Sequence, residues 1–258
     1  MKTVLITGAT VNTGYGIAKK FASENWNVVI TGRDIDRVPA AAERLQNEYP
    51  DVTVLGYVLN AVRPDNTIDE QAVTNLFSDL DRKGLFVECL VLNAANLGIR
   101  QRIFENPLSD FINVLHTNVT LNYLLIETAA RRMKEEKNGS VVFINSNTAY
   151  RAIPDRIAYC TSKGAQLSMM RALALDLGKY NIRVNAVLPG MIKTDRWESN
   201  YNDCKNAPSN FTPLGDIAEF ADIADAVWYF AAHARNTTGA ELAVDGGNMI
   251  QLYPIIPE

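Results

Sequence analysis

The sequence predicts an α/β fold in which a single doubly wound parallel sheet of about seven strands carries helices on both faces. Three observations lead there. Short β-branched apolar runs alternate with longer stretches of helical spacing along the chain, the order of successive β-α-β units. The strand runs are continuously apolar, as strands covered on both sides are. A glycine-rich turn joins the first strand to the first helix, where such sheets bind ligands.

Each element follows from its own pattern. TVLIT from Thr3 is the first strand, and GIAKKFASENW from Gly16 follows with helical spacing. NVVIT from Asn27 is the second strand and VPAAAERLQNEY from Val38 the second helix. Pro39 falls in that helix's first turn, where its missing N–H has no intrahelical partner to lose. VTVLGYVL from Val52 is the third strand, and IDEQAVTNLFSDLDRKG from Ile68 is a helix closed by Gly84. ECLVLNAA from Glu88 is the fourth strand, before one long helical stretch from Leu108, LSDFINVLHTNVTLNYLLIETAARRMKEE. SVVFINS from Ser140 is the fifth strand, and AYCTSKGAQLSMMRALALD from Ala158 lies in the next helix. IRVNAVLPG from Ile182, the helix IADAVWYFAAHA from Ile223 and GAELAVDGG from Gly239 complete the set. No linker or repeat divides the chain, so residues 1–258 are expected to form one domain. The stretch from Met191 to Leu214 is polar, aromatic and weakly periodic, and is expected to be a substrate loop.

Bulk properties narrow the function. A chain of 258 residues, 47% hydrophobic, can bury a sizeable core. Its net charge of -4, from 25 Lys+Arg against 29 Asp+Glu with no basic block, speaks against nucleic acid as a partner. No apolar run reaches the length of a membrane span, and the N-terminus lacks the pattern of a signal peptide. Cys89, Cys160 and Cys204 show no paired spacing, which argues against a disulfide framework and for a reducing, cytoplasmic setting. Cys160 is read as a small buried filler. His116 and His233 share no ligand-spaced cluster with cysteines or carboxylates, so no metal site is expected.

The first strand runs into TGATVNTGYGIA from Thr7. Gly8, Gly14 and Gly16 permit a tight turn and a close approach of backbone to a pyrophosphate, and the helix that begins there offers unpaired N–H groups. The arrangement is that of a Rossmann-type nucleotide site. At the end of the second strand Arg33 and Asp34 compete for the adenosine ribose: an acidic side chain suits the hydroxyls of NAD, an arginine the extra phosphate of NADP. Gly32 takes the strand-end position and Arg33 follows directly, which favours NADP and leaves NAD open.

Tyr159 and Lys163 lie four residues apart on one helical face, a spacing that by itself often means two solvated neighbours. Ser146 ends the fifth strand, and Asn118 sits in the helical HTNVT, where asparagine competes for backbone groups. With the glycine loop, LNAA from Leu92, PGMIKT from Pro189 and VDGG from Val244, these residues in this order resemble the short-chain dehydrogenase/reductase family over nearly the whole chain.

The resemblance implies specific roles. Tyr159 is the general acid/base that serves the carbonyl or alcohol oxygen while hydride moves to or from the nicotinamide. Lys163 lowers the tyrosine pKa and holds the nicotinamide ribose. Ser146 hydrogen-bonds the substrate oxygen, and Asn118 holds a water in a proton relay behind Lys163. Thr13, Gly14, Tyr15 and Gly16 face the phosphates and the nicotinamide side. Asn60 meets the adenine, Asn93, Ala94 and Ala95 pack on the adenosine ribose, and Pro189, Gly190, Ile192 and Thr194 border the nicotinamide. Similar proteins are tetramers or dimers joined by the helices around residues 113–134 and 157–179. Two features depart from the usual pattern. Five residues, ATVNT, separate Gly8 from Gly14, which resembles the enoyl-reductase branch, although that branch widens the Tyr–Lys spacing kept here. Asn60 and Ala95 replace the common Asp and Gly.

The substrate walls are expected to come from Leu97, Ile99, Tyr150, Ile153, Met191, Trp197, Tyr201 and Phe211, which suits a bulky hydrophobic alcohol or ketone such as a hydroxysteroid or bile acid. Arg100, Arg102, Arg151 and Arg196 lie in the same loops and are candidates to anchor a carboxylate or phosphate. Acyl thioesters, sugars and polyols stay open as substrates. A noncatalytic nucleotide-sensing protein on the same fold is the competing reading.

Overall fold

In the computed structural model, residues 1–194 and 210–253 are described. Seven parallel strands form one sheet: β1 (Thr3–Ile6), β2 (Asn27–Gly32), β3 (Val54–Val58), β4 (Val87–Leu92), β5 (Gly139–Ile144), β6 (Ile182–Pro189) and β7 (Glu241–Val244), in the order β3-β2-β1-β4-β5-β6-β7. The order reverses between β1 and β4, so the crevice at their carboxyl ends is the topological switch point.

Alternation along the strands divides the apolar residues between two cores. Val4, Ile6, Val28, Ile30 and Val91 face α1 (Asn12–Ser23), α2 (Arg37–Glu48) and α7 (Phe220–Trp228), with Phe21, Leu45 and Val227 behind them. Leu5, Val29, Leu90, Leu92 and Phe143 face α3 (Glu70–Arg82), α5 (Leu121–Glu136) and α6 (Ile157–Gly178). Both faces are covered, which is why the strand segments read as unbroken apolar runs.

The long helical stretch after β4 is three pieces. Helix α4 (Leu108–Leu115) runs into one turn of π-helix, His116–Thr120, before α5. A π turn widens the helix and leaves a main-chain carbonyl without its helical partner, and Asn118, buried completely, lies in that turn. Helix α7 ends in a second π turn, Tyr229–His233. Most of the expected substrate loop, with Trp197, Tyr201, Arg196 and Cys204, and residues 254–258 lie outside the described residues. No described helix is long and apolar enough to cross a membrane, and no group of metal-ligating side chains occurs among the described residues.

Candidate active site

The glycine loop is built from both sides of the switch point. Thr7, at the end of β1, accepts from the N–H groups of Asn93 and Ala94 through its hydroxyl, both at 3.0 Å. The Asn93 side chain returns two bonds, from Nδ2 to the carbonyls of Thr7 (3.0 Å) and Gly8 (2.9 Å). Gly8 has a φ of 63°, which disfavours a side chain there. At Gly14 a Cβ would fall 2.5 Å from both Gly8 O and Asn93 Nδ2. Gly14→Ala is therefore expected to destabilise the fold by about 1–3 kcal/mol, seen as a lower urea midpoint with an unchanged m-value. The longer ATVNT loop is absorbed by Asn12, whose φ of 51° is one that asparagine tolerates. No side chain caps α1, so its first N–H groups face the loop unclaimed by a capping group.

Two side chains expected at the cofactor have protein partners of their own. Tyr15 turns toward α2: Arg44 donates to its hydroxyl at 2.9 Å and lies 3.9 Å from its ring centroid. Asn93 commits its Nδ2 to the glycine loop and so shapes that loop. Gly16 serves close packing, since a Cβ there would meet Phe220 at 2.8 Å. Thr13 is half-buried, while Ala95 and Asn60 are exposed at the carboxyl ends of β4 and β3. Asp34 is committed to the start of α2, where its carboxylate accepts from the N–H groups of Asp36 (3.0 Å) and Arg37 (2.9 Å) and is held below its usual pKa by those bonds. Arg33 is exposed and has no ion-pair partner among the described residues. The site therefore fits a dinucleotide bearing an adenosine phosphate: a backbone cradle at the pyrophosphate end and an uncommitted guanidinium at the other.

On the far side of the crevice, Pro189 ends β6 and Gly190 donates to Val244 O at 3.0 Å. Ile192 bridges to Ala218, and Thr194 is half-buried at the edge of the described residues.

Ser146, Tyr159 and Lys163 come together at the carboxyl end of β5. Ser146 is held by its own turn, donating its N–H to Asn145 Oδ1 (2.8 Å) while its hydroxyl accepts from Thr148 N (3.2 Å). Burial pushes the Tyr159 phenol above its ordinary pKa, against the opposing pull of the Ser146 hydroxyl and, more weakly, Arg156 and Thr148. The Lys163 ammonium lies 5.5 Å from the Tyr159 ring centroid and donates to Ile144 O at 2.8 Å. Burial alone pushes Lys163 down to about 7. In the protein alone the phenol is raised, because desolvation outweighs its polar neighbours, and the Lys163 ammonium donates to the β5 carbonyl.

Asn118 is tied by both its side chain and its carbonyl. Its Oδ1 accepts from Asn96 N (2.7 Å), and its Nδ2 donates to Asn96 O (2.8 Å) and Ser162 Oγ (2.9 Å). Its carbonyl accepts from Asn122 Nδ2 (2.8 Å) and Gln166 Nε2 (2.7 Å). Asn96, Asn145, Ser162 and Gln166 thus belong to the site although the motifs did not single them out. Gln166 was within reach of a pattern argument: with Tyr159 and Lys163 it continues an i, i+4, i+7 stripe. Thr148 adds a buried hydroxyl beside the phenol, and its pull on Tyr159 works against the effect of burial.

Around this group the expected walls are partly committed. Tyr150 donates to Glu241 Oε2 at 2.5 Å and accepts from Arg171. Arg151 bonds Asn248 O, and Arg102 lies 4.0 Å from Asp155. Arg156, another unforeseen residue, clamps Leu97 O (3.1 Å) and Gly98 O (2.6 Å) to the start of α6. Leu97 and Met191 are half-buried, and Ile99, Ile153 and Phe211 are exposed. Cys160 is half-buried, not the fully buried filler expected, because it sits one position off the buried stripe of α6.

The family model described as Enoyl-(Acyl carrier protein) reductase matches residues 8–248. The chain is 30% identical over 249 residues to the 3-oxoacyl-acyl-carrier-protein reductase of Aquifex aeolicus, covering 95% of this chain and 96% of that protein. It is 30% identical over 258 residues to the L-rhamnose 1-dehydrogenase (NAD(P)(+)) of Azotobacter vinelandii, covering 97% and 98%. It is 31% identical over 248 residues to the 3alpha-hydroxysteroid dehydrogenase of Mediterraneibacter gnavus, covering 95% and 96%. Among solved structures, ElxO with NADP bound superposes with a TM-score of 0.86 at 25% identity, covering 97% of this chain and 99% of that one. A protein described as a short chain dehydrogenase/reductase family member gives a TM-score of 0.80 at 30% identity, covering 97% and 98%. The seven-stranded parallel sheet, the glycine loop at its switch point and these full-length likenesses together assign the chain to the short-chain dehydrogenase/reductase family of oxidoreductases.

Proposed function

We propose that the protein is an NADP(H)-dependent carbonyl reductase or secondary-alcohol dehydrogenase acting on a bulky hydrophobic ketone or alcohol of the hydroxysteroid class. The convergence of Ser146, Tyr159 and Lys163 at the switch-point end of β5 carries this reading, because those three groups are what proton transfer at a carbonyl oxygen requires. Bound NADPH would supply the hydride. Tyr159, its pKa raised by burial, is a protonated acid at neutral pH, and its O–H donates to the carbonyl oxygen as charge develops there. The Ser146 hydroxyl orients that oxygen and stabilises the charge. Lys163, close to its titration point near neutrality, provides a cation or a proton beside the phenol. The spacing of four between Tyr159 and Lys163 supports carbonyl over enoyl chemistry, whatever the description of the family model.

The half-buried Leu97 and Met191 and the exposed Ile99, Ile153 and Phe211 support a bulky apolar substrate, as does the likeness to a 3alpha-hydroxysteroid dehydrogenase. Likenesses to a 3-oxoacyl-acyl-carrier-protein reductase and to L-rhamnose 1-dehydrogenase support acyl thioesters and sugars as the second reading. NADPH and NADH oxidation over ketosteroids, acyl thioesters, sugars and small ketones tests both. Turnover of fused-ring ketones is the expected result. Turnover confined to a small polar substrate would remove the hydroxysteroid reading, and tight NADPH binding without turnover of any substrate would favour a nucleotide sensor.

Arg33 is proposed to hold the adenosine phosphate. A charge-assisted hydrogen bond contributes about 1.5–3 kcal/mol, so Arg33→Ala is expected to weaken NADPH binding about 10- to 150-fold and leave NADH nearly unchanged. Equal losses for both, measured by fluorescence titration, would remove that assignment.

The same reading takes residues 1–258 as one domain in a cytoplasmic enzyme and includes a dimer or tetramer built on α5 and α6. A groove between them is lined by the apolar Ile126, Ala130, Leu173 and Leu177 and by Tyr123 and Tyr180, with charged side chains among them. A groove of mixed apolar and charged lining on a helix pair suits a second copy across a two-fold axis.

A further inference from the structure

We propose that Gln166 is a positioning residue of the site: its carboxamide fixes the Lys163 ammonium and occupies the space between Lys163 and the Asn118 carbonyl, closing that side to a proton-relaying water. The inference rests on the reductase reading above for its catalytic meaning, and on the hydrogen-bond geometry for the contact itself.

The Gln166 side chain is 1% exposed and makes three bonds. Its Oε1 accepts from Lys163 Nζ (3.2 Å) and from Asn145 Nδ2 (3.1 Å), and its Nε2 donates to Asn118 O (2.7 Å). The orientation is forced, since an ammonium can only donate and a carbonyl can only accept. Asn145 is locked in turn, because its Nδ2 also donates to Lys163 O at 3.0 Å. Lys163, Gln166, Asn145 and Asn118 are each no more than 3% exposed, so an unmade bond here has no water to replace it.

The chemistry follows from the amide. The Asn118 carbonyl lies in the π turn, and Gln166, which also bonds Lys163, reaches it from α6. A water in that position would pass protons by exchanging one O–H for another. A carboxamide would have to pass through its imidic tautomer, so it holds Lys163 without relaying its proton. Proton exchange of the Tyr159–Lys163 pair with solvent then runs on the substrate side of the pair.

The groups set against the Lys163 ammonium are Ile144 O from β5, Gln166 Oε1 from α6 and the Tyr159 ring, and of these only the last belongs to a titratable side chain. Gln166→Glu places a negative charge against the ammonium and favours its protonated form, whereas Gln166→Met, of similar shape, removes an acceptor and disfavours it.

The test is an NMR titration of protein labelled with 13C-lysine, the Lys163 signal being assigned by its loss in Lys163→Arg. The Lys163 midpoint is expected to rise by a unit or more in Gln166→Glu and to fall in Gln166→Met. One midpoint shared by all three proteins would overturn the proposal, and Gln166→Glu alone suffices should the Met variant not fold. The second arm uses the ketone that the wild type turns over best. Gln166→Met is expected to lower kcat on the order of 10- to 100-fold, with little change in KM and a pH profile displaced in the direction of the NMR midpoint. An unmoved profile would overturn the catalytic half. A wild type that reduces no ketone would sink the reductase reading while the NMR titration still decides the positioning role.

Discussion

Tyr159→Phe is expected to lower kcat/KM for the ketone by 10²–10⁴-fold, about 3–5 kcal/mol of transition-state stabilisation, while NADPH binds as before. The size follows from what the substitution removes. The ring stays, so the half-buried slot between α6 and the β5 turn stays filled. The one proton that can reach a carbonyl oxygen held by Ser146 is gone. Water cannot substitute well, because the desolvation that raises the phenol's pKa also keeps solvent from the reacting atoms. Ser146→Ala tests the partner role and is expected to cost less, since it removes orientation and charge stabilisation but leaves the acid. The direction of the pKa adds a second observable. A phenol raised above its ordinary value is protonated throughout the neutral range, so the reductive rate is expected to stay flat on the tyrosine limb up to alkaline pH. A limb near pH 7 that survives in Tyr159→Phe would belong to Lys163. Loss of NADPH affinity in parallel with rate, measured on the same preparation, would mean that the variant damages the cleft and would withdraw the general-acid assignment.

How much of this was legible in the sequence depends on whether a residue acts locally or through distant partners. The strands were legible because Val4 and Ile6 face one core and Leu5 the other, which leaves no polar gap in the run. Tyr159 and Lys163 were legible as neighbours because helical spacing fixes them. Asn118 was legible as a misfit in a helix, but its setting was not: the groups that saturate its side chain and carbonyl, on Asn96, Ser162 and Gln166, lie between 22 and 48 residues away. The direction of the tyrosine pKa was illegible for the same reason. Spacing puts a cation near the phenol, but only tertiary packing decides that the ammonium donates to Ile144 O and that desolvation prevails. Tyr15 and Asn93 show the same limit at the nucleotide end, where the partners that claim their side chains, Arg44 and the carbonyls of Thr7 and Gly8, lie 29 and more residues away. Asp34 reads more clearly, because its partners, the amides of Asp36 and Arg37, lie within three residues of it.

Lys163→Met is expected to remove activity and also to flatten a rise of stability with pH. Burial lowers Lys163 to about 7 in the folded protein from 10.5 in the unfolded chain. Between those values the unfolded chain holds a proton that the folded protein lacks, so the free energy of unfolding increases with pH. One proton corresponds to at most about 1.4 kcal/mol per pH unit. At the upper end the sign reverses. Cys89, pushed up to about 12 by burial from 9.0, and Tyr159, raised from 10.0, keep protons in the folded state that the unfolded chain releases. The clean window is therefore pH 7 to 9, where the lysine contributes up to about 2–3 kcal/mol, a large part of a domain's usual 5–15. Urea midpoints at pH 7, 8 and 9 decide the point: the wild type should gain stability across the window and Lys163→Met should stay level. Parallel slopes would show that the ammonium titrates in the folded state as it does in the unfolded chain, and that the buried cation is not the strained member of the site. The expected divergence has a functional meaning. At the pH where Lys163 carries the charge that the chemistry uses, the fold bears its largest desolvation cost. The three acceptors around the lysine, the Ile144 carbonyl, the Gln166 amide and the Tyr159 ring, are then what keeps that charge from driving the helix off the sheet.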